Sequence, residues 1–325
     1  MIMPAAEVAN TNGNGKPEPY DGGPWLGVDD IFAPLPDPEW MIPDLQFGPG
    51  RPATLAADVG SGKTVLAQDA ALAVATGRPA WGWFRTKGPA KVRHADQDQG
   101  RGTLRRYQRL ALGMGIEPGE LRGKLEVASF PELYLTTTSD DVWLRACDGV
   151  GLMILDALRG FLPGVDENDS AVQAHLMRLA KISDRTGCTF LLLHHFGKAG
   201  RERKADINRL RGSTGIGAAL GSVFVLEGEK NEPKRVSHVK GHPDGCGKML
   251  DDFYIEIEDV PDGDRPHAGL RVVYRTAEEV NEGESPESRL ADTCERVLDF
   301  VKSHPGSSGR LIRSQVNGAR SEVVV

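Results

Sequence analysis

Short apolar runs alternate with amphipathic stretches of helical length from Trp25 onward. Runs of five to eight residues rich in aliphatic side chains are typical of buried strands, whereas apolar positions three and four residues apart are typical of helices. The pattern predicts strands over residues 52–58, 90–96, 124–129, 151–156 and 188–195. It predicts helices that begin near Gly62, Arg101, Ser139 and Asn168. Strands and helices in alternation indicate an α/β fold with a mainly parallel sheet.

The second half of the chain has a different rhythm. Beyond Gly221 one strand pattern follows another, over residues 221–227, 235–240, 252–259 and 269–274. Gly, Pro and Asp turns separate these segments, and strands joined by short turns pair antiparallel. The pattern therefore predicts an antiparallel extension of the same sheet.

Composition divides the chain into three parts. Residues 1–24 are rich in Asn, Gly, Pro and Glu, and such a segment buries too little apolar surface to be ordered. Residues 25–278 carry the α/β pattern. A linker rich in Glu, Gly, Ser and Pro opens the last part, 279–325, where an amphipathic helix over 290–304 precedes a short second one. This tail predicts a short helical module that resembles the start of a winged helix.

Hydrophobic residues make up 39% of the chain and charged residues 26%, as in globular proteins that function in water. The four cysteines lie far apart without a CxxC pair, which indicates neither a disulfide framework nor a metal cluster. No apolar run approaches the ~20 residues that span a bilayer. We expect a cytoplasmic protein without membrane contact.

The formal net charge is −7, which argues against a protein that coats nucleic acid through its overall field. Contact with DNA therefore requires a local basic patch. The segment 198–211 provides one, because six basic residues stand there against two acidic ones, a local balance of +4. The basic residues are Lys198, Arg201, Arg203, Lys204, Arg209 and Arg211.

A glycine-rich turn follows the first predicted strand and precedes an alanine-rich helix pattern. Its eight residues fit the phosphate-loop pattern G-x-x-x-x-G-K-[ST], except that alanine replaces the first glycine: Ala57, Asp58, Val59, Gly60, Ser61, Gly62, Lys63 and Thr64. Such a turn aims backbone N–H groups and a helix N-terminus at an anion. Lys63 is then placed to neutralise terminal phosphate charge, and the Thr64 hydroxyl to ligate magnesium. The motif predicts binding of ATP with Mg²⁺.

Polar side chains end three further strands of the predicted sheet. Asp156 ends the run 151–156 and fits the carboxylate that holds a metal-bound water. Asp96 and Asp98 follow the second strand, and either can orient or deprotonate an attacking water. His194 and His195 end the fifth strand, where one of them can sense the γ-phosphate. Two buried or metal-binding histidines are the alternative interpretation of that pair.

Taken together, the segments 57–64, 150–198 and 211–228 resemble the ATPase core of RepA-type hexameric DNA helicases, RecA-like and AAA-type P-loop ATPases related to DnaB. The resemblance covers about residues 30–275. It implies a RecA-like domain over 25–278 with Lys63 and Thr64 on phosphates and magnesium, Asp156 on the metal, and His194 and His195 at sensor positions. It also puts Asp98 where the family has a catalytic glutamate, so that the carboxylate is one methylene shorter.

The resemblance further implies a homo-hexamer or other ring, with single-stranded DNA held by the 198–211 loop and with replication or recombination proteins as possible partners. DnaB-type relatives place a trans-acting arginine in a late K-x-R turn, where this chain has Lys240 and His242; Arg209 and Arg211 are alternatives. The expected function is an ATP-dependent helicase-like motor. A recombination mediator or loader without unwinding, and a non-catalytic ATP-binding regulator, are the rival interpretations.

Overall fold

The structure is a computed structural model that describes residues 27–34, 37–165, 171–195, 214–229, 232–245 and 249–282, with scattered positions between 294 and 309. The chain divides into two units, Met1–Asp37 and Pro38–Val325. In the first unit, the described residues include one short helix, α1 (Val28–Ile31). The second unit contains the sheet, and the fold below is that of this unit. The domain boundaries expected at residues 24 and 278 stay predictions.

Among the described residues a single sheet has nine strands, in the spatial order β3, β2, β4, β5, β1, β6, β7, β8, β9. The strands are β1 (Ala53–Ala57), β2 (Val92–Asp96), β3 (Leu125–Ser129), β4 (Leu152–Asp156), β5 (Thr189–His195), β6 (Val223–Glu227), β7 (Lys234–Lys240), β8 (Phe253–Asp262) and β9 (Arg265–Arg275). The first six in spatial order pair in parallel, and β6 to β9 pair antiparallel. The predicted α/β fold with an antiparallel extension is confirmed.

Between residues 38 and 282, the described α-helices of the second unit are α2 (Lys63–Thr76), α3 (Arg101–Gly113), α4 (Asp140–Cys147), α5 (Ala171–Thr186), α6 (Thr214–Ala219) and α7 (Ala277–Glu282). The α5 helix buries one stripe that includes Val172, Leu176, Leu179 and Ile182, as its amphipathic pattern predicts. Within the described part of the chain, no helix has the length and apolarity needed to cross a bilayer.

The α2 helix is buried almost all round, which explains its alanine-rich sequence. Its residues from Leu66 to Ala75 are buried, and they pack against β1, β2, β4 and β5 on the parallel part of the sheet. Helix α2 also contacts β9, and α3 packs along β9 as well. Because alanine has a small side chain, it lets a helix approach neighbours on several sides. The antiparallel extension therefore covers the helix that begins at the glycine-rich turn.

Two glycines mark where this extension approaches closely. A Cβ on Gly113, at the end of α3, would lie 1.9 Å from the backbone oxygen of Leu270 on β9. A Cβ on Gly62 would lie 2.8 Å from the Cδ1 atom of Ile257 on β8. The extension thus reaches both the end of α3 and the glycine-rich turn. At Gly113 the neighbour is backbone, which leaves no room for a side chain.

Several predicted features fall outside the described residues. The basic segment 198–211, the tail 1–24 and most of the 279–325 module are among them. Their predicted roles stay predictions. The described residues before and after the basic segment are His195, at the end of β5, and α6.

Candidate functional site

The carboxyl ends of the parallel strands meet at one edge of the sheet. In the register, Ala57 of β1 lies beside His195 of β5, and Asp96 of β2 lies beside Asp156 of β4. Each of these residues ends its strand. In open α/β sheets, this edge is where ligands bind. The four strand ends that the sequence singles out are therefore brought to one place.

The glycine-rich turn connects the end of β1 to the first residue of α2. Gly60 and Gly62 have φ values of 79° and 95°, a left-handed conformation that suits glycine. The turn leads directly into α2 at Lys63, so the N–H groups of the first helical turn face the same space. This geometry forms a cradle for an anion, with backbone donors and the positive end of a helix dipole.

The Lys63 side chain folds back over the turn. Its ammonium group donates to the backbone oxygens of Ala57 and Asp58, at 2.9 and 2.7 Å. Burial lowers the pKa of Lys63 to about 8, although Asp156, Asp58 and Asp98 oppose the shift. An anion bound at the turn would add to the negative charges around Lys63 and would favour its charged form against the effect of burial.

The Thr64 hydroxyl and the Asp156 carboxylate are neighbouring oxygen groups of the kind that ligate metal ions, and they lie beside the glycine-rich turn. The Thr64 hydroxyl donates to the Asp156 carboxylate at 2.8 Å. Mg²⁺ prefers oxygen ligands and commonly binds through one or two protein side chains together with substrate phosphates and waters. The residues present therefore fit a magnesium ion that is held jointly with a bound phosphate.

A cavity of about 460 Å³ opens over the turn. It is lined by residues 59–65, Asp98, Gln99, Arg106 and His195. The sequence predicts most of this lining, but Val65, Gln99 and Arg106 were missed. The Arg106 guanidinium donates to the Gln99 amide oxygen, and the Gln99 amide donates to Asp98 at 3.1 Å. The signal for Arg106 was its position on the helix that follows the strand-end aspartates, which brings one face of α3 to the same edge.

The two aspartates after β2 have different surroundings. Asp96 is fully buried, and its Oδ1 accepts the backbone N–H groups of Asp98 and Gln99, both at 2.9 Å. Burial raises the pKa of Asp96, but Thr103 and those backbone N–H groups outweigh it and hold the pKa below its ordinary value. Asp98 is exposed and lines the cavity. Asp96 thus stabilises the backbone of the segment that follows β2, and Asp98 faces the space where a substrate would lie.

The two histidines at the end of β5 also differ. His194 is buried, at 2% exposure, whereas His195 is half-buried and lines the cavity. Burial lowers the pKa of His195, with Lys63 as a second cause, while Asp98 and Asp156 oppose the shift. Since side chains alternate along a strand, only one of two neighbours can face a given side. Here that neighbour is His195.

The trans-acting candidates on the described part of the chain make contacts within it. The Lys240 ammonium donates to the backbone oxygens of Gly217 and Leu220, at 2.6 and 2.5 Å. His242 is 2% exposed, and its ring lies edge-on to Trp40. Within this chain, Lys240 thus contacts the end of α6, and His242 contacts Trp40. Arg209 and Arg211 lie outside the described residues.

Comparison with known proteins gives a family and a fold. A family model described as an AAA domain matches residues 18–201, more than half of the 325-residue chain. A DnaB-like replicative helicase, whose structure was determined with its interactions with primase, has 12% identity and a TM-score of 0.52. That match covers 75% of this chain and 66% of the helicase chain, just under two thirds of it.

A second similar structure is the crystal structure of the RadB recombinase, with 15% identity and a TM-score of 0.47. It covers 69% of this chain and 91% of that chain. A search of curated protein sequences found no match. At these identities the likeness to the helicase shows the fold alone.

Proposed function

Since this chain belongs to the AAA domain family and has a RecA-like P-loop ATPase fold, we propose that it is an ATP hydrolase that acts as a helicase-type motor on single-stranded DNA in replication. One observation carries the proposal. The Thr64–Asp156 pair lies beside a glycine-rich turn, under a cavity that Asp98 and His195 also line. A phosphate-binding turn, side-chain oxygens for a magnesium ion and a carboxylate that orients water are groups that phosphoryl transfer to water commonly uses.

In the proposed complex, residues 57–64 hold the phosphates of ATP. Backbone N–H groups at the start of α2 bind phosphate oxygens, and Lys63 leaves the carbonyls of Ala57 and Asp58 to neutralise terminal charge. Thr64 and Asp156 would hold Mg²⁺, and the bound ion would stabilise charge that develops on the phosphates. The cavity of about 460 Å³ lies within the range typical of small-molecule sites.

Asp98 is the proposed group that orients the attacking water and takes its proton. Asp98 is exposed to the cavity, whereas Asp96 uses one oxygen to accept a backbone hydrogen bond in the segment after β2. Gln99 donates to the Asp98 carboxylate and accepts from Arg106, and these two contacts keep the Asp98 carboxylate at the cavity wall. His195 faces the same space and is the proposed sensor of the γ-phosphate.

Coupling to DNA is proposed to run from His195 into the basic segment 198–211. That segment follows β5 directly in sequence and carries the +4 local charge. A chain with a net charge of −7 needs such a local site, because phosphate binding depends on concentrated Lys and Arg. A ring of subunits, with a trans-acting basic residue from a neighbour such as Arg211, completes the proposal.

A steady-state ATPase assay with and without single-stranded DNA tests the function, run beside native mass measurement with ATP and unwinding of a forked DNA. We expect DNA-stimulated turnover, an ATP-dependent ring and unwinding. Lys63→Ala should abolish turnover, since removal of a group that stabilises transition-state charge costs about 10²- to 10³-fold or more. Unchanged DNA-stimulated hydrolysis in Lys63→Ala would disprove the site. Turnover without unwinding would contradict the helicase-type motor and support a loader or recombination mediator.

A further inference from the structure

A chain of four side chains runs from α3 to the glycine-rich turn. The Tyr107 hydroxyl lies 2.9 Å from His94 Nδ1, and His94 Nε2 lies 3.8 Å from Asp156 Oδ2. The same Oδ2 atom accepts the Thr64 hydroxyl at 2.8 Å. His94 and Asp156 are 1% and 2% exposed, and Tyr107 is buried as well. The sequence offered no signal for His94 or Tyr107, because neither occurs in a motif.

The surroundings of the His94 ring determine which nitrogen carries the proton. Tyr107 remains a phenol at neutral pH, because burial raises its pKa well above the ordinary value, with Asp156 and Asp96 as further causes. Its hydroxyl has His94 as its partner among the described residues. The phenol therefore donates to Nδ1, and the ring proton lies on Nε2. That N–H lies 3.8 Å from a carboxylate oxygen, at a place where a lone pair would be repelled.

The Nε2 atom is buried and has no hydrogen-bond partner among the described residues. A separation of 3.8 Å from Asp156 Oδ2 is too long for a hydrogen bond, and Oδ2 is already engaged by Thr64. Buried donors without an acceptor are rare in folded proteins. A small rotation of the Asp156 carboxylate towards His94 would satisfy this donor, once the Thr64 hydroxyl turns its oxygen to a metal.

We propose that His94 and Tyr107 are positioning residues for Asp156: His94 Nε2–H holds the carboxylate in the orientation that binds Mg²⁺, and Tyr107 fixes the imidazole ring. The inference rests on the proposed nucleotide site. Partners of metal-binding groups commonly orient them and tune metal affinity, and their loss typically costs 10- to 100-fold. Here His94 and Tyr107 connect β2 and α3 to the side of the cavity where Mg²⁺ is proposed to bind.

Binding of Mn²⁺ to the protein with ADP, followed by electron paramagnetic resonance, tests this without reliance on turnover. Tyr107→Phe removes one oxygen, and His94→Phe removes the donor while the volume is largely kept. In both variants we expect the half-saturating Mn²⁺ concentration to rise on the order of 10-fold. ADP affinity measured in EDTA should stay unchanged. His94→Gln, which can return an N–H near Asp156, should recover part of the metal affinity.

His238→Phe is the matched control for the loss of a buried histidine. His238 lies on β7, four strands away from β4 in the sheet, and its Nδ1 accepts the backbone N–H of Leu250. This variant should lose stability but keep the wild-type Mn²⁺ affinity. Equal Mn²⁺ affinity in wild type, Tyr107→Phe and His94→Phe would overturn the inference and leave the function intact. No ADP binding by the wild type would instead contradict the proposed function.

Discussion

The parallel and antiparallel parts of the sheet use charged residues in opposite ways. In the parallel part, Asp96, Asp156 and His194 are buried at the strand ends. Parallel strands all point the same way, so their carboxyl ends collect at one edge, and ionisable groups there gather around the glycine-rich turn. In the antiparallel part the strand directions alternate. Successive ends therefore lie at opposite edges, and the strand-end groups do not gather at one edge.

The charges of the antiparallel part neutralise each other instead. On β8 and β9, Arg271 contacts Glu258 at 2.7 Å, and Arg275 contacts both Glu256 and Glu258. Asp259 pairs with Arg109 of α3 and with His267. These side chains are partly exposed, so water screens them. The two parts contain similar residue types. Burial and strand direction therefore distinguish the proposed nucleotide site from the exposed ion pairs of the extension.

The largest expected effect comes from the cavity carboxylate. Asp98→Asn should lower kcat of ATP hydrolysis by about 10²- to 10⁴-fold, because it removes the proposed proton acceptor. ATP binding, measured with a fluorescent analogue, should not weaken, because the substitution removes negative charge from the cavity that Asp98 shares with Lys63. Asp98→Glu keeps a carboxylate and should retain turnover.

Asp259→Asn is the matched control on the antiparallel part. It removes a carboxylate of similar exposure that pairs with Arg109 and His267, and it should leave kcat unchanged. An equal loss of turnover in Asp98→Asn and Asp259→Asn would erase the contrast between the two parts. Full activity of Asp98→Asn would assign water activation to another group.

The sequence was informative wherever function depends on adjacent residues. The glycine-rich turn, the strand-end Asp156 and the buried stripe of α5 follow from local patterns. Contacts between distant segments carried no such signal: His94 lies near Asp156 only because β2 and β4 are neighbours in the sheet. The close approach of Gly113 to Leu270 likewise depends on how far the extension curls.

Asp69 lies on α2, where the helix is enclosed, and its burial should make stability depend on pH. Burial raises its pKa from 3.8 to about 7, although a hydrogen bond from the Trp81 backbone N–H opposes this. Between these values the folded state holds a proton that the unfolded state lacks, so stability falls as pH rises. The gap from 3.8 to about 7 corresponds to on the order of 4 kcal/mol.

Urea unfolding of wild type and Asp69→Asn at several pH values between 4 and 8 measures this effect. The free energy of unfolding of Asp69→Asn minus that of wild type should increase as pH rises. This difference should become constant above about pH 7. Asp259→Asn should run parallel to wild type. A constant difference between Asp69→Asn and wild type across this range would contradict a proton on buried Asp69.

Close packing of the antiparallel part on α3 predicts a smaller cost. Gly113→Ala would place a Cβ 1.9 Å from the Leu270 oxygen, so that backbone must shift. Overpacking of this kind costs about 1–3 kcal/mol, which thermal unfolding detects as a lower Tm. Gly119→Ala is the matched control, since a Cβ there meets nothing within 4 Å. Equal Tm values for the two variants would show that the extension is loosely attached.

The smallest effect is expected at the paired charges of the extension. The Arg271 side chain is 56% exposed where it contacts Glu258, so Arg271→Ala should cost less than about 1 kcal/mol and little of that in 1 M salt. Glu258 keeps a partner in Arg275, which limits the loss further. Urea unfolding at low and high salt measures the cost. A loss as large as that in Gly113→Ala, insensitive to salt, would mean that these charges stabilise the fold as buried groups do, and the distinction between the two parts of the sheet would fail.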